Sequence, residues 1–189
     1  MSRASIPAAK RLIIALDVPT GVEARDLVED LGDTVSFYKV GLELFTGEDG
    51  FAMVDWLTRQ GKQVFVDLKF FDVPATVARA VSQLRGRQVS FATVHGNDAM
   101  MRAAAEAAGE IGILAVTVLT SLDAADMRDL GFDCDIPALV RSRAQRAVAL
   151  GCAGVVASGQ EAAMLRKTLG DDGLIVTPGI RPVRQDDDQ

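Results

Sequence analysis

The feature that most limits the fold of this chain is a regular alternation of short apolar runs with segments of helical spacing. Seven apolar runs of strand length occur, at residues 12–18, 36–41, 64–70, 91–95, 111–119, 154–158 and 174–180. Helical spacing follows each of the first six runs, and the fifth run is followed by two such segments. The segments cover residues 22–31, 48–60, 73–84, 98–108, 123–130, 136–150 and 161–169. Because the strand runs are apolar on both faces, the pattern predicts a parallel sheet covered by helices.

Two parallel architectures fit this alternation. A doubly wound sheet would be expected to carry a Gly-x-Gly-x-x-Gly turn after strand one, but residues 17–21 read Asp-Val-Pro-Thr-Gly. A (β/α)8 TIM barrel places its functional residues at the C-terminal ends of the strands. Here those ends carry charged or polar residues, namely Asp17, Lys39, Asp67, Lys69, His95, Thr120 and Thr177. We therefore predict an α/β protein with the TIM-barrel fold.

The length of the chain fits one domain but not a whole barrel. A TIM barrel normally needs eight strands and about 200 residues or more, whereas this sequence has 189 residues. Only a polar segment, residues 181–189, follows the seventh strand run. We expect a single barrel domain over residues 1–189 that is truncated after strand seven, without the final helix, strand and helix, in a chain that is a fragment.

Composition excludes several classes of partner. The net charge of -6 and the aromatic content of 5% argue against a nucleic-acid surface. No apolar run approaches the ~20 residues that span a membrane, and the run at 12–16 is too short for a signal peptide. The two cysteines, Cys134 and Cys152, suit free thiols in a reducing compartment. These features predict a cytoplasmic protein that binds a small molecule.

Strand three carries charges that a structural strand does not need. In the run from Val64 to Pro74, Asp67 and Lys69 fall on the same face, because side chains alternate along a strand. Burying such a pair usually costs more in desolvation than the attraction returns, so a cleft that uses the charges is the better explanation. Asp72 follows at the strand end and would bring a second carboxylate near the same ammonium. The alternative is a solvated ion pair on an edge strand.

An ammonium between carboxylates has a definite chemical use. Asp67 and Asp72 would keep Lys69 protonated, because nearby negative charge favours the charged form. A protonated lysine can stabilise the carbanion left by departing CO2 and then protonate it, which is metal-free decarboxylation. One ion pair supplies about 4 kcal/mol at an effective dielectric of 20. Enzymes lower barriers by about 8 to 23 kcal/mol, so a remote group such as a phosphate must also contribute binding energy.

Six separated segments carry a family resemblance. They are residues 16–17 (Leu-Asp), 39–45 (Lys-Val-Gly-Leu-Glu-Leu-Phe), 67–74 (Asp-Leu-Lys-Phe-Phe-Asp-Val-Pro), 94–96 (Val-His-Gly), 118–121 (Val-Leu-Thr-Ser) and 177–181 (Thr-Pro-Gly-Ile-Arg). In this order they resemble the orotidine 5'-phosphate decarboxylases, from about residue 11 to the end. The resemblance implies conversion of orotidine monophosphate to uridine monophosphate without metal or organic cofactor, in a homodimer whose active sites lie at the subunit interface.

The resemblance also implies roles for individual residues. Lys69 would donate the proton, and Asp67, Asp72 and Lys39 would complete the charged array, with Asp72 supplied by the partner subunit. Asp17 and Lys39 would hold the ribose hydroxyls, Thr120 the pyrimidine, and Thr76 would add a partner contact near the ribose. Asp67 would also belong to the substrate-binding residues. Arg181 and Gln189 match the phosphate-side loop, residues 181–189. His95 is left out of the catalytic set.

The sequence departs from the usual family wording at Phe71, where a histidine is common, and at Ala75, where an asparagine is common. Neither change removes a charge. Two alternatives remain beside the decarboxylase: a related metal-dependent sugar-phosphate decarboxylase, and a nucleotide-binding homologue that is truncated or inactive. Individual residues also have simpler explanations: Asp17 as a turn residue, and Thr120 with Ser121 as caps of the following helix.

Overall fold

A computed structural model describes residues 6–47 and 49–180 of the chain. Seven strands in this part form one sheet, and every neighbouring pair is parallel. They are β1 (Ile14–Ala15), β2 (Phe37–Gly41), β3 (Gln63–Phe70), β4 (Phe91–Val94), β5 (Gly112–Val116), β6 (Gly154–Val156) and β7 (Leu174–Val176). All seven predicted strands are present, most of them shorter than the apolar runs.

The order of the strands distinguishes the two architectures. Strands β1 to β7 lie side by side in chain order, whereas a doubly wound sheet reverses direction at a switch point. Each strand therefore pairs with its predecessor, as in a TIM barrel. The prediction of a (β/α)-barrel sheet is confirmed.

Eight helices connect these strands. They are α1 (Gly21–Leu31), α2 (Leu42–Thr46), α3 (Gly50–Arg59), α4 (Pro74–Ser82), α5 (Asp98–Ala107), α6 (Ala124–Asp129), α7 (Ile136–Ala149) and α8 (Ala162–Leu169). Short 3-10 turns cover Ala8–Lys10 and Gly32–Thr34. Helix α2 is an addition to the predicted set. It follows β2 directly and buries Leu44, so contact with the sheet side stabilises a segment too short to be recognised by its spacing.

Two apolar layers cover the two faces of the sheet. The larger one lies between strands and helices and includes Tyr38, Val40, Leu57, Val64 and Val66. The smaller one covers the other face and is built from Phe37, Phe65, Leu114, Val116, Val156 and Leu174. We call this second face the inner face. Alternation along each strand then directs the residue two positions after an inner residue to the same face.

No helix within residues 6–47 and 49–180 has both the length and the apolar character required to cross a membrane.

Candidate active site

Strand register brings four inner residues into one row near the C-terminal ends of the first four strands. Gly41 of β2 is the register partner of Asp67 in β3. Asp17 lies two residues beyond Ala15, which pairs with Lys39, and Thr93 follows Ala92, which pairs with Val66. We call Asp17, Gly41, Asp67 and Thr93 the polar row.

Two lysine ammonium groups alternate with the two carboxylates of this row. Lys39 Nζ lies 2.9 Å from Asp17 Oδ1 and 3.9 Å from Asp67 Oδ2. Lys69 Nζ lies 3.1 Å from the same Oδ2 of Asp67. The side chain of Asp67 is only 14% exposed, whereas that of Asp17 is 64% exposed. Asp67 is therefore the inner carboxylate of the array and is shared by both ammonium groups.

The alternative of a solvated ion pair on an edge strand is wrong. Strand β3 pairs with β2 on one side and with β4 on the other, so it lies inside the sheet. Asp17 is likewise more than a turn residue, because its carboxylate accepts a hydrogen bond from Lys39 Nζ.

Asp67 and Lys69 meet through an irregular backbone rather than through simple alternation. The register of β3 against β4 shifts between Val66 and Phe70. Within this bulge Lys69 adopts φ +48°, in the left-handed region that side-chain-bearing residues seldom occupy. Such outliers concentrate at functional sites, where the surrounding structure holds them. The bulge directs the Lys69 side chain back toward Asp67.

The structure leaves Asp72 apart from this cluster in its own chain. Asp72 is exposed, and its Oδ1 accepts a hydrogen bond of 2.6 Å from the backbone N–H of Val73. Among the described residues it forms no ion pair with Lys69. The expectation that Asp-x-Lys-x-x-Asp spacing alone brings the second carboxylate to the ammonium is therefore wrong within one chain, because Asp72 lies in the loop beyond the end of the strand.

The remaining predicted residues lie in the loops and helices around the same end of the sheet. Thr76 lies in the first turn of α4 and accepts a hydrogen bond from Arg79. Thr120 is exposed in the turn after β5. It does not cap α6, because Asp123 is the N-cap and its side chain accepts from the N–H groups of Ala125 and Asp126. Arg181 and Gln189 lie outside the described residues.

Two members of the polar row were missed by sequence reasoning. Gly41 leaves the space that Lys39 uses, since a Cβ there would lie 3.1 Å from Lys39 Nζ and 3.4 Å from Asp17 Oδ1. Thr93 is fully buried, and its hydroxyl donates a 2.9 Å hydrogen bond to Asp67 Oδ1. The sequence signal for Thr93 was its place between Phe91 and His95 in an apolar run, which predicts that it shares their face.

His95 follows β4, two residues beyond Thr93. Its ring packs edge-on against Phe71, with 5.6 Å between ring centroids. Burial lowers the pKa of His95, and the positive charges of Arg143 and Lys69 lower it further. The neutral imidazole is therefore the favoured form beside the charged array.

The described residues contain no group of three or more His, Cys, Asp or Glu side chains with a geometry that could hold a metal ion. The charges assembled at this end of the sheet are instead two ammonium groups and two carboxylates.

Comparison with known proteins assigns this chain to a family. The profile of the orotidine 5'-phosphate decarboxylase / HUMPS family matches residues 10–189. The chain belongs to this family. Within the orotidine 5'-phosphate decarboxylase / HUMPS family, a protein of Methylococcus capsulatus named orotidine 5'-phosphate decarboxylase is 63% identical over 191 residues, covering 100% of this chain and 79% of that protein.

A second relative of that name, from Xanthomonas euvesicatoria pv. vesicatoria, is 52% identical over 186 residues, covering 96% of this chain and 76% of its own length. Among solved structures, orotidine 5'-phosphate decarboxylase from Lactobacillus acidophilus superposes with a TM-score of 0.85 at 36% identity, over 90% of this chain and 81% of that one. The family fold thus agrees with the barrel-type sheet described above.

Proposed function

We propose that this chain decarboxylates orotidine 5'-phosphate to uridine 5'-phosphate, a step of de novo pyrimidine biosynthesis. The observation that carries the proposal is the alternating array Asp17, Lys39, Asp67 and Lys69 at the C-terminal end of the sheet. It occurs in a chain that is 63% identical to a protein named for this activity.

Lys69 acts as the proton donor. The bond between the pyrimidine carbon and its carboxylate breaks, the electron pair stays on the carbon, and CO2 departs. The ammonium of Lys69 stabilises this developing negative charge and then transfers a proton to the carbon, after which solvent restores the ammonium. Its side chain is 41% exposed beside Asp67, so the amine can face a bound substrate and still keep a carboxylate neighbour.

Asp67 and Lys39 hold the array in place. The carboxylate of Asp67 is only 14% exposed and lies 3.1 Å from Lys69 Nζ and 3.9 Å from Lys39 Nζ, so one negative charge attracts both ammonium groups. Charges preorganised in this way need no rearrangement when negative charge develops on the substrate. The array is neutral within one chain, with two carboxylates and two ammonium groups.

Substrate contacts follow the resemblance residue by residue. Asp17, the most exposed member of the array, binds the ribose hydroxyls together with Lys39. Thr120 binds the pyrimidine from the turn after β5. The phosphate is bound by Arg181 and Gln189, and this remote contact supplies binding energy for the chemical step.

The active sites are shared between two copies of the chain. Asp72 and Thr76 complete the site of the partner, which fits an exposed Asp72 without an ion pair to Lys69 among the described residues. Asp72 lies between Phe71 and Val73, whose apolar side chains are 66% and 61% exposed. Contact with a second copy would remove this apolar surface from water.

Mixing two inactive variants tests the shared site. If Lys69 of one chain works with Asp72 of the other, hybrids of Lys69→Ala and Asp72→Asn contain one intact site and one doubly altered site. Random reassortment then restores about a quarter of parental activity, because half of the dimers are hybrids with one working site each. If both residues act within one chain, mixing restores nothing. Sedimentation gives the oligomeric state independently.

The protein works in the cytoplasm on a small molecule. Its two cysteines are free thiols, with Cys134 exposed and Cys152 buried, as suits a reducing compartment. Burial raises the pKa of Cys152 to about 12, so that thiol stays protonated and unreactive.

Turnover of orotidine 5'-phosphate, followed by absorbance in the presence of a metal chelator, tests the function. We expect decarboxylation with chelator present. Activity that disappears with chelator and returns with a divalent cation would favour a metal-dependent sugar-phosphate decarboxylase. Tight binding of uridine 5'-phosphate without turnover would instead favour the inactive nucleotide-binding homologue.

A further inference from the structure

Thr93 occupies an unusual position beside the catalytic array. It is one of two fully buried threonines of the described chain, the other being Thr117. Its hydroxyl donates to Asp67 Oδ1 over 2.9 Å and accepts from the backbone N–H of Lys69 over 2.8 Å. A hydroxyl has one proton to donate and lone pairs to accept with, so this single group satisfies both neighbours.

The contact with Asp67 determines which oxygen faces the lysines. Because Oδ1 accepts from Thr93, Oδ2 is directed toward Lys69 Nζ at 3.1 Å and Lys39 Nζ at 3.9 Å. Rotation of the carboxylate would break the Thr93 bond and displace Oδ2 from both ammonium groups. The β-branched side chain of Thr93 is restricted at χ1 and is fully buried on β4, so its hydroxyl has a fixed position.

The contact with Lys69 holds the unusual backbone. At the bulge in β3, Lys69 has no register partner in β4, and its N–H donates to the side chain of Thr93. The Thr93 hydroxyl therefore supports the backbone at the residue whose φ is +48°. A bulge of this kind redirects the side chain that it carries, and here that side chain is the proton donor.

We propose that Thr93 is a positioning residue for the decarboxylation, acting through Asp67 and through the backbone of Lys69 at once. This inference rests on the proposed function and goes beyond the roles that it assigns. Thr93 does not touch the substrate. It holds the carboxylate and the ammonium at the spacing that the chemical step needs.

Removal of the hydroxyl tests the inference. We expect Thr93→Val, which keeps the shape of the side chain, to lower kcat by about 30-fold to 100-fold, because misplacement of catalytic groups by about 1 Å costs about 100-fold. The KM should change by less than about threefold, since Thr93 forms hydrogen bonds with Asp67 and Lys69 and with neither Asp17 nor Lys39, the two residues assigned to the ribose. Thr93→Ser retains the hydroxyl and should keep kcat within about threefold of the parent.

Thr117→Val is the matched control. It also removes a buried hydroxyl, one that donates to the backbone carbonyl of Val156 over 3.1 Å and contacts no member of the array. We expect a similar loss of thermal stability in both valine variants but a loss of kcat only in Thr93→Val. If Thr93→Val does not fold, Thr93→Cys, with its weaker donor and acceptor, takes its place with the same expectation.

A crystal structure of the Thr93 variant supplies a readout that does not depend on activity. We expect the distance from Lys69 Nζ to Asp67 Oδ2 to exceed 4 Å and φ of Lys69 to leave the left-handed region. A variant that keeps both features, or that turns over within twofold of the parent, would overturn the inference. If the parent protein itself fails to decarboxylate orotidine 5'-phosphate, the proposed function fails, and the crystal structure still judges the positioning claim.

Discussion

Two layers on the inner face of the sheet differ sharply, although the same strands build both. Three strands carry an aromatic residue and, two positions later, a polar one: Phe37 and Lys39, Phe65 and Asp67, Phe91 and Thr93. The aromatic layer is closely packed, with 5.7 Å between the ring centroids of Phe37 and Phe91 and 6.4 Å between those of Phe65 and Phe91. The polar layer holds charges and a strained backbone instead.

This difference separates stability from chemistry along single strands. Burial of the apolar rings stabilises the fold. The nearly buried carboxylate of Asp67 and the left-handed backbone of Lys69 instead cost free energy of folding, so a functional role explains them better than stability does. On β3, Phe65 contributes to stability, and Asp67, two residues later on the same face, belongs to the charged array. Substitutions in the two layers should therefore affect different measurements.

The largest effect on activity is expected from Lys69→Ala. Loss of the proposed proton donor and of its positive charge should reduce kcat by at least about 1,000-fold, since each of these contributions is worth about 100-fold or more. The midpoint of thermal unfolding should stay within a few degrees of the parent value. Single-turnover absorbance and circular dichroism measure the two quantities. Substantial residual turnover would reject Lys69 as the donor.

The largest effect on stability is expected from Phe65→Ala, two residues before Asp67 on the same face. Removal of this buried ring should lower the free energy of unfolding by about 3–5 kcal/mol, as is typical of Phe-to-Ala changes in cores. Turnover per folded molecule should remain within a fewfold of the parent. Urea unfolding together with kinetics at low temperature gives both numbers. A loss of kcat as large as that of Lys69→Ala would contradict the separation of the two layers.

A smaller effect is expected from Gly41→Ala, which adds one methyl group to the polar row. The backbone at Gly41 has φ -90°, so alanine is not strained there and the effect is steric. The added Cβ would crowd Lys39 Nζ and Asp17 Oδ1 and should reduce kcat/KM by about tenfold, the cost of a small displacement of catalytic groups. In Gly61→Ala a Cβ would meet nothing within 4 Å, but φ +71° strains alanine there, so this variant should lose stability while its kcat/KM per folded molecule is unaffected.

The smallest effect concerns pH. Because burial, Arg143 and Lys69 lower the pKa of His95, the folded protein binds fewer protons than the unfolded chain just below the ordinary histidine value near 6.5. Stability is thus complete above that value and is partly lost as the pH falls through it. The thermal midpoint should therefore be lower at pH 5 than at pH 7. His95→Asn should reduce this slope, and an unchanged slope would assign it to other groups.

Much of the fold could be predicted because it depends on local pattern. Strand and helix positions follow from apolar runs and caps, and every predicted strand is present. The residues of the array could also be named, since strand ends of a barrel converge. The expectation from spacing alone that Asp72 lies near Lys69 is not met within one chain, because spacing along a sequence does not say where a loop directs its side chains after the strand ends, and the pairing across a dimer stays a prediction.

What the sequence determined by itself was the succession of seven parallel strands and the placing of Asp17, Lys39, Asp67 and Lys69 at their ends. Only the tertiary structure decided that Asp67 is shared by two lysines, that Gly41 leaves room for them and that Thr93 holds both Asp67 and the backbone of Lys69. The physical reason is that the contacts Asp17–Lys39, Lys39–Asp67, Asp67–Thr93 and Lys69–Thr93 join residues 22 to 28 positions apart, whereas Asp67 and Lys69 lie two positions apart and meet at the bulge. Their distances depend on register and on a bulge, and neither of these is written in the periodicity of a single strand.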